Sequence, residues 1–283
     1  MIAIPKPIVK WVGGKRQLLP LLKELMPKEF NRYFEPFFGG GALFFSIQPS
    51  NAVINDFNPQ LINMYNQIKN NPMKVMDILN EWQSKYNSLN SKEEKDAYYY
   101  QKRNEYNTHL ISDTSDEVTA ALLIFLNKSG FNGLYRINQG GLYNVPSGHK
   151  KRLNLFEENN ILAVSQSLQN SEILPHGDFQ KACQTAKEGD FVFFDSPYYD
   201  TFDSYQANGF SAHDHKLLCE LFKSLSEKGV FCMLTNNDCD YIRNLYQGFN
   251  IRETNVKRLI NRDAKHRTGK EIIITNNYGY PPN

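Results

Sequence analysis

Short apolar runs punctuated by glycine, proline and acids mark both ends of this chain, and a long amphipathic stretch separates them. After Gly13-Gly14, residues Leu18, Leu19, Leu21, Leu22 and Leu25 fall on one helical face, and Arg32-Tyr33-Phe34-Glu35 reads as a short strand ending at Pro36. Glycines 39 to 41 open a turn into Ala42-Leu43-Phe44-Phe45, and Ala52 to Asp56 reads as a second buried strand. That is a β-α-β unit, for which a right-handed crossover is expected. From Asn58 to Asn127 the pattern is helical and rich in Asn, Lys and Tyr, with a capped, solvated start at Asn90 to Asp96. Gly130 to Pro146 is glycine-rich and hairpin-like, with Gln139-Gly140-Gly141 as its turn. Strands are then predicted at 172–174, 190–194, 230–234, 249–253 and 271–275, with a helix over 211–227. Alternation on both sides of an inserted block predicts a doubly wound, Rossmann-like α/β sheet with ligand sites beyond the carboxyl ends of its strands. The expected organisation is a first part at 1–57, an insertion at 58–150 and a second part at 151–283.

At 283 residues the chain suits one sizeable core carrying an inserted module. The formal charge of +2 neither demands nor excludes a polyanionic partner, so any such face must come from local clustering. Cys183, Cys219, Cys232 and Cys239 lack paired spacing, from which neither a zinc site nor a disulfide framework is inferred. The start of the chain has no apolar signal-like region and no run is long enough to span a bilayer, so a soluble, cytoplasmic protein without a membrane partner is expected, monomeric by default.

Two constellations carry chemistry. Glu35-Pro36-Phe37-Phe38-Gly39-Gly40-Gly41 followed by Asp56 sets exposed backbone at a strand-to-helix turn and an acid at the end of the next strand. Such a turn admits close approach of an adenosine-containing ligand, and the acid can accept hydrogen bonds from ribose hydroxyls. It is not the dinucleotide fingerprint, and a merely tight turn is the alternative. Asp195-Ser196-Pro197-Tyr198 follows the apolar run Phe191 to Phe194, at the tip of a buried strand. An exocyclic ring amine is a poor nucleophile; acceptors such as Asp195 and the Ser196 carbonyl favour its tetrahedral form, and Tyr198 offers a face for stacking. Out of context, a polar loop beside a buried aromatic is the bland alternative.

These motifs, in this order along nearly the whole chain, resemble the Dam-type DNA adenine-N6 methyltransferase family. Lys10-Trp11-Val12-Gly13-Gly14-Lys15 resembles its N-terminal motif, Glu35 to Gly41 its S-adenosylmethionine (SAM) loop, and Val53-Ile54-Asn55-Asp56 its ribose-binding strand. Phe131 to Arg136 with Tyr143-Asn144-Val145-Pro146 resembles its target-recognition hairpin; Gly177-Asp178-Phe179 and Asp195 to Tyr198 resemble its SAM-adenine and catalytic motifs. The resemblance implies SAM as cofactor, with Trp11, Lys15, Glu35, Pro36, Phe37, Gly39, Gly40, Gly41, Asp56, Asp178 and Asp195 around it. It implies a flipped adenine received by Asp195, Ser196, Pro197 and Tyr198. It makes 58–150 a mainly helical target-recognition domain ending in a β-hairpin, within a methyltransferase sheet. Double-stranded DNA would meet Lys10, Phe131, Asn132, Leu134, Arg136, Asn138 and Pro146, with Arg136 placed to read a guanine and GATC the expected site. The basic stretch from Arg252 to Lys270, including Lys257, Arg258 and Arg262, would neutralise phosphates, or is a solvated loop without a partner. No metal is needed, and a cognate restriction endonuclease acting on the same site is a possible partner.

The chain departs from the family at Ser196, where proline is usual, and at Leu142, where many relatives carry an acid. Serine frees Asp195 somewhat, while Pro197 still restrains Ser196. The rival readings are a cytosine-N4 methyltransferase, a catalytically impaired DNA-binding relative, and a small-molecule or RNA methyltransferase of the same fold. Asp195 speaks against the first, the retained Lys15, Asp56 and Asp178 against the second, and the Asn-Gly-Leu-Tyr-Arg segment against the third.

Overall fold

The computed structural model of the protein describes residues 4–199, 210–257 and 268–278. Its apolar runs pair into one sheet of β1 (Tyr33–Glu35), β2 (Ala52–Ile54), β3 (Ser171–Ile173), β4 (Phe191–Phe194), β5 (Phe231–Asn237), β6 (Asn250–Lys257) and β7 (Thr268–Thr275). The spatial order is β3-β2-β1-β4-β5-β7-β6. The first five strands are parallel, and β7 runs antiparallel to both β5 and β6. Every residue of β1, β2 and β4 is buried, as expected of parallel strands covered on both faces. From β1 the chain steps outward through β2 to β3, then returns to set β4 on the other flank of β1. This reversal opens a crevice between the carboxyl ends of β1 and β4, where doubly wound sheets bind ligands.

One face is covered by α8 (Phe179–Ala182), α9 (Ala212–Glu227) and α10 (Asp240–Leu245), packed on Phe34, Val192, Phe194 and Leu234. The other meets α1 (Leu19–Leu25), α2 (Ala42–Ile47) and a helical group in which α3 (Pro59–Asn70), α4 (Pro72–Ser88) and α5 (Lys92–Ile111) all contact α6 (Glu117–Ser129). The cap expected near residue 90 is a capping box between Ser91 and Glu94 at the start of α5. Helix α6 is buried from Thr119 to Asn127, so it needs neighbours all round, and it gets them. Trp82, Tyr86 and Phe125 of this group lie in the same apolar cluster as Phe44 and Phe191 beside the sheet. α7 (Glu158–Leu168) then leads the chain back to β3.

The expected hairpin differs from a regular ladder. Residues 130–147 double back through two isolated antiparallel bridges, Gly130 with Ser147 and Ile137 with Tyr143, after a 3-10 turn at Phe131–Gly133. Backbone bonds join the two arms, Phe131 N to Pro146 O and Asn138 N to Leu142 O at 2.9 Å and Asn144 N to Arg136 O at 3.1 Å, and side chains add to them: Asn107 accepts from Tyr143 N at 2.8 Å, and Asn127 Nδ2 donates to Gly133 O at 2.9 Å. At the turn, Asn138 Oδ1 accepts from the backbone N–H groups of Gly140 and Leu142, both at 3.0 Å.

Candidate active site

The glycine turn between β1 and α2 is held from three sides. Gly39 N donates to Asp56 Oδ2 at 2.7 Å, Tyr65 Oη donates to Gly39 O at 3.0 Å, and Phe38 N donates to Asn55 O at 2.9 Å. Gly41 takes the left-handed conformation at φ 64, and a Cβ there would lie 2.6 Å from Phe38 Cζ. Trp11 packs over the same turn: a Cβ on Gly39 would come within 3.1 Å of its Cδ1, and its ring lies 5.1 Å from that of Tyr135. Pro36 is buried, while Phe37 stacks on Phe179 at 5.3 Å and meets Phe210 edge-on at 5.7 Å.

Two acids flank this aromatic wall. Asp56 is half-buried; burial pushes its carboxyl above the usual range, against the pull of backbone N–H donors from Asn58 and Gly39. Its own carbonyl accepts from Gly177 N at 3.1 Å, which draws the exposed Asp178 alongside. Asp178 Oδ1 caps α8 through Gln180 N at 2.8 Å. A Cβ on Gly177 would meet nothing within 4 Å, so the space above it is open. Glu35 faces inward instead. It is 2 % exposed, accepts from Tyr33 Oη at 2.7 Å, and burial raises its pKa well above the carboxylate range.

Asp195 stands at the tip of β4, where the sheet reverses. Its Oδ1 lies 2.6 Å from Lys15 Nζ and accepts from Thr235 Oγ1 at 2.7 Å. Lys15 is buried, donates to Gly13 O at 2.6 Å, and holds its ammonium 4.8 Å from the centre of the Tyr198 ring. Ser196 is buried and Pro197 half-buried. Trp11 thus packs on the Pro36 to Gly41 turn, which binds Asp56; Asp178 follows Gly177 beside Asp56; Lys15 binds Asp195 beside Tyr198; and Glu35 is buried at the end of β1.

The residues expected at a nucleic-acid face lie to one side. Asn127 docks both the N-terminal motif and the recognition loop, accepting from Lys10 N at 2.8 Å and donating to Lys10 O and Gly133 O, each at 2.9 Å. Phe131, Asn132, Asn138 and Pro146 are exposed, and Leu134 is partly buried against the core. Arg136 Nε donates to Asn144 Oδ1 at 2.6 Å. Lys10, Lys128, Lys150 and Asn132 line a hollow of about 80 Å³. Burial, and then the charges of Arg16 and Lys10 against that of Glu157, lower the Lys128 pKa. Lys257 ends β6, and Arg258 and Arg262 lie outside the described residues. Among the described residues no helix is long and apolar enough to cross a membrane, and no cluster of metal-ligating side chains is found.

Thr235, Asn236, Asn237, Asn127 and Tyr65 were not singled out from the sequence. For the first three a signal existed: a polar run directly after an apolar strand, the same pattern that marks Asp195.

A reversed-order, mostly parallel sheet with a glycine turn at β1, acids after β2 and β3, and a polar tetrad at the tip of β4 defines an α/β protein of the methyltransferase class. Residues 11–260 match the family model of D12 class N6 adenine-specific DNA methyltransferases. The chain is 41% identical over 280 residues to the Type II methyltransferase M1.LlaDCHI of Lactococcus lactis, covering 97% of this chain and 96% of that one. It is 35% identical to the Type II methyltransferase M.MjaIII of Methanocaldococcus jannaschii, over 96% of this chain and 99% of that one. It is 30% identical to the DNA adenine methylase of Haemophilus influenzae, over 95% and 92% respectively. The chain belongs to the D12 class of N6 adenine-specific DNA methyltransferases, and is therefore an enzyme that acts on DNA.

Proposed function

We propose that this enzyme transfers the methyl group of SAM to N6 of an adenine turned out of double-stranded DNA, within a short site whose sequence is GATC. The observation that carries the reading is Asp195, fixed at the sheet's switch point by Lys15 and Thr235 and adjoining Tyr198. The residues present fit SAM: Asp56 and Asp178 are acceptors for ribose hydroxyls and an adenine amine, the open space at Gly177 lies between them, and the aromatic pair Phe37 and Phe179 forms a wall. Trp11, Lys15 and the Phe37 to Gly41 turn would hold its amino-acid side. Bound there, SAM supplies an already electrophilic methyl on a positive sulfur. Asp195 and the Ser196 carbonyl accept hydrogen bonds from the target N6, orient its lone pair, and Asp195 or water receives the proton that the methylated amine sheds. Tyr198 stacks on the extruded base.

Residues 58–150 are proposed as the target-recognition insertion, with Arg136 reading a guanine, Leu134 and Pro146 touching a thymine methyl, and Phe131 wedging into the stack. The hollow at Lys10, Lys128 and Lys150 suits a phosphate. The two Type II relatives support a cognate endonuclease acting at the same site. Purified protein with SAM and unmethylated genomic DNA, read by single-molecule sequencing, tests the reading. N6-methyladenine in GATC supports reaction and site together; the same mark elsewhere keeps the reaction and refutes the site; no mark on any base, with SAM bound, refutes the reaction.

A further inference from the structure

Strands β4 and β5 stay in register as far as Phe194 opposite Leu234. Beyond that pair β4 ends, while β5 runs on to Asn237 paired with β7. Parallel pairing to β5 therefore stops just before Asp195 to Tyr199. Three successive β5 side chains take its place. Thr235 Oγ1 donates to Asp195 Oδ1 at 2.7 Å; Asn236 Oδ1 accepts from Tyr199 N at 3.1 Å while its Nδ2 reaches Ser196 Oγ at 3.4 Å; Asn237 Nδ2 donates to Tyr199 O at 3.0 Å. Asn236 Oδ1 also accepts from Asn237 N at 2.9 Å, so two backbone donors fix which end of the amide is oxygen. Thr235 and Asn236 are fully buried and Ser196 is 2 % exposed, so the Asn236–Ser196 contact is shielded from water, while the bonds to Asp195 and Tyr199 are partly buried.

Ser196 stands where the family's proline would stiffen the loop through its ring. A serine there loosens the loop and buries a hydroxyl that needs a partner. Asn236 answers both needs. We propose that Asn236 is a positioning residue for methyl transfer, and that Ser196 and Asn236 form one coupled clasp that holds the Asp195 to Tyr199 loop by hydrogen bonds in place of a proline ring. This rests on the reading of Asp195 to Tyr198 as the transfer site.

The test compares N236A, S196A, S196P and the doubles S196A/N236A and S196P/N236A. Exchange of the Tyr199 amide hydrogen reads the clasp without turnover. It is expected to quicken by about tenfold in N236A, since opening then lacks one buried bond. With SAM and DNA, kcat in N236A is expected to fall by about ten- to a hundredfold while SAM affinity, KM for DNA and Tm change little. The alanine double should be no worse than N236A, and S196P should recover most of the lost kcat in the N236A background. Independent, multiplying effects of the two alanines, no recovery by S196P, or a Tyr199 amide indifferent to N236A each overturn the proposal. If N236A does not fold, Tyr199 amide exchange in S196A against S196P decides: the clasp requires S196A to quicken exchange and S196P not to. Wild-type protein that methylates no adenine refutes the transfer reading, and amide exchange still judges the clasp.

Discussion

Lys15 Nζ lies 2.6 Å from Asp195 Oδ1, so a residue ahead of the first helix neutralises the acid at the tip of β4. Lys15 is 4 % exposed and the Asp195 side chain 19 %, which leaves each charge dependent on the other. Replacing Lys15 by Met strands a carboxylate at the crevice and is expected to cost about 1–3 kcal/mol of stability. Pairing it with Asp195→Asn removes both charges and should restore most of that loss without restoring methyl transfer. Thermal unfolding with a radiolabelled methyl-transfer assay checks both halves. A double variant as unstable as K15M would show that the ion pair is not what the lysine contributes.

A second prediction concerns the turn below the crevice. Gly41 precedes α2 at φ 64, and a Cβ there would sit 2.6 Å from Phe38 Cζ and 2.8 Å from Phe45 Cε2, both rings buried. Gly41→Ala therefore combines left-handed strain with overpacking, for an expected loss of about 2–4 kcal/mol. Tm should fall by several degrees and SAM affinity with it. Gly177→Ala, at φ 153 with open space around its Cβ, carries backbone strain without the overpacking and should cost less. Equal losses would contradict the steric argument.

How much of this was legible beforehand depended on whether the deciding contacts were local. The turn at Gly39 to Gly41 and the tetrad at Asp195 stand out because an apolar strand ends abruptly in residues a core would not choose. The helical stretch after Asn58 was legible for a similar reason, through its period and the Ser91–Glu94 cap. The recognition loop was read as a hairpin because its turn chemistry fits one. Its arms exchange a few backbone bonds, and Asn107 on α5 and Asn127 on α6 anchor it further, contacts that no local pattern announces. Glu35 was grouped with the cofactor residues by its place in the motif, and its buried carboxyl accepts from Tyr33 on the same strand, a contact the motif does not announce. The extension of β5 to Asn237 was missed since it is β7, more than thirty residues on, that pairs with it.

Arg136 supplies a third prediction. Its Nε is held by Asn144 Oδ1 at 2.6 Å, which aims the planar guanidinium from the doubled-back loop. Arg136→Lys keeps the charge but loses the fork, so salt dependence of DNA binding should change little while selectivity falls by about ten- to a hundredfold. Asn144→Ala should weaken selectivity in the same direction and less. Methylation rates on a panel of sites differing at one base pair measure it; R136K with undiminished selectivity would remove Arg136 from base reading.

The last prediction follows from the buried carboxyl of Glu35. Burial raises its pKa well above the usual range, the Tyr33 hydrogen bond lowers it, and the negative charges of Asp195 and Asp56 raise it again. In the unfolded chain the same group titrates near about 4.3. Between that value and the raised folded one, the folded protein binds more protons than the unfolded. Stability contributed by this group is therefore fully present below about 4.3 and is lost as pH climbs towards the folded pKa. Glu35→Gln fixes a neutral, similarly shaped acceptor for Tyr33 Oη and removes that slope. At pH 5 the two proteins should unfold at similar temperatures, and by pH 8 the variant should be the more stable by about 1 kcal/mol or more. Asp96 does not confuse the comparison. Although burial pushes its pKa up, hydrogen bonds from Ser147 and His149 outweigh that and hold it below the usual range, so its contribution fades only as pH falls further. Parallel stability profiles for wild type and E35Q from pH 5 to 8 would mean that Glu35 is already ionised in the fold.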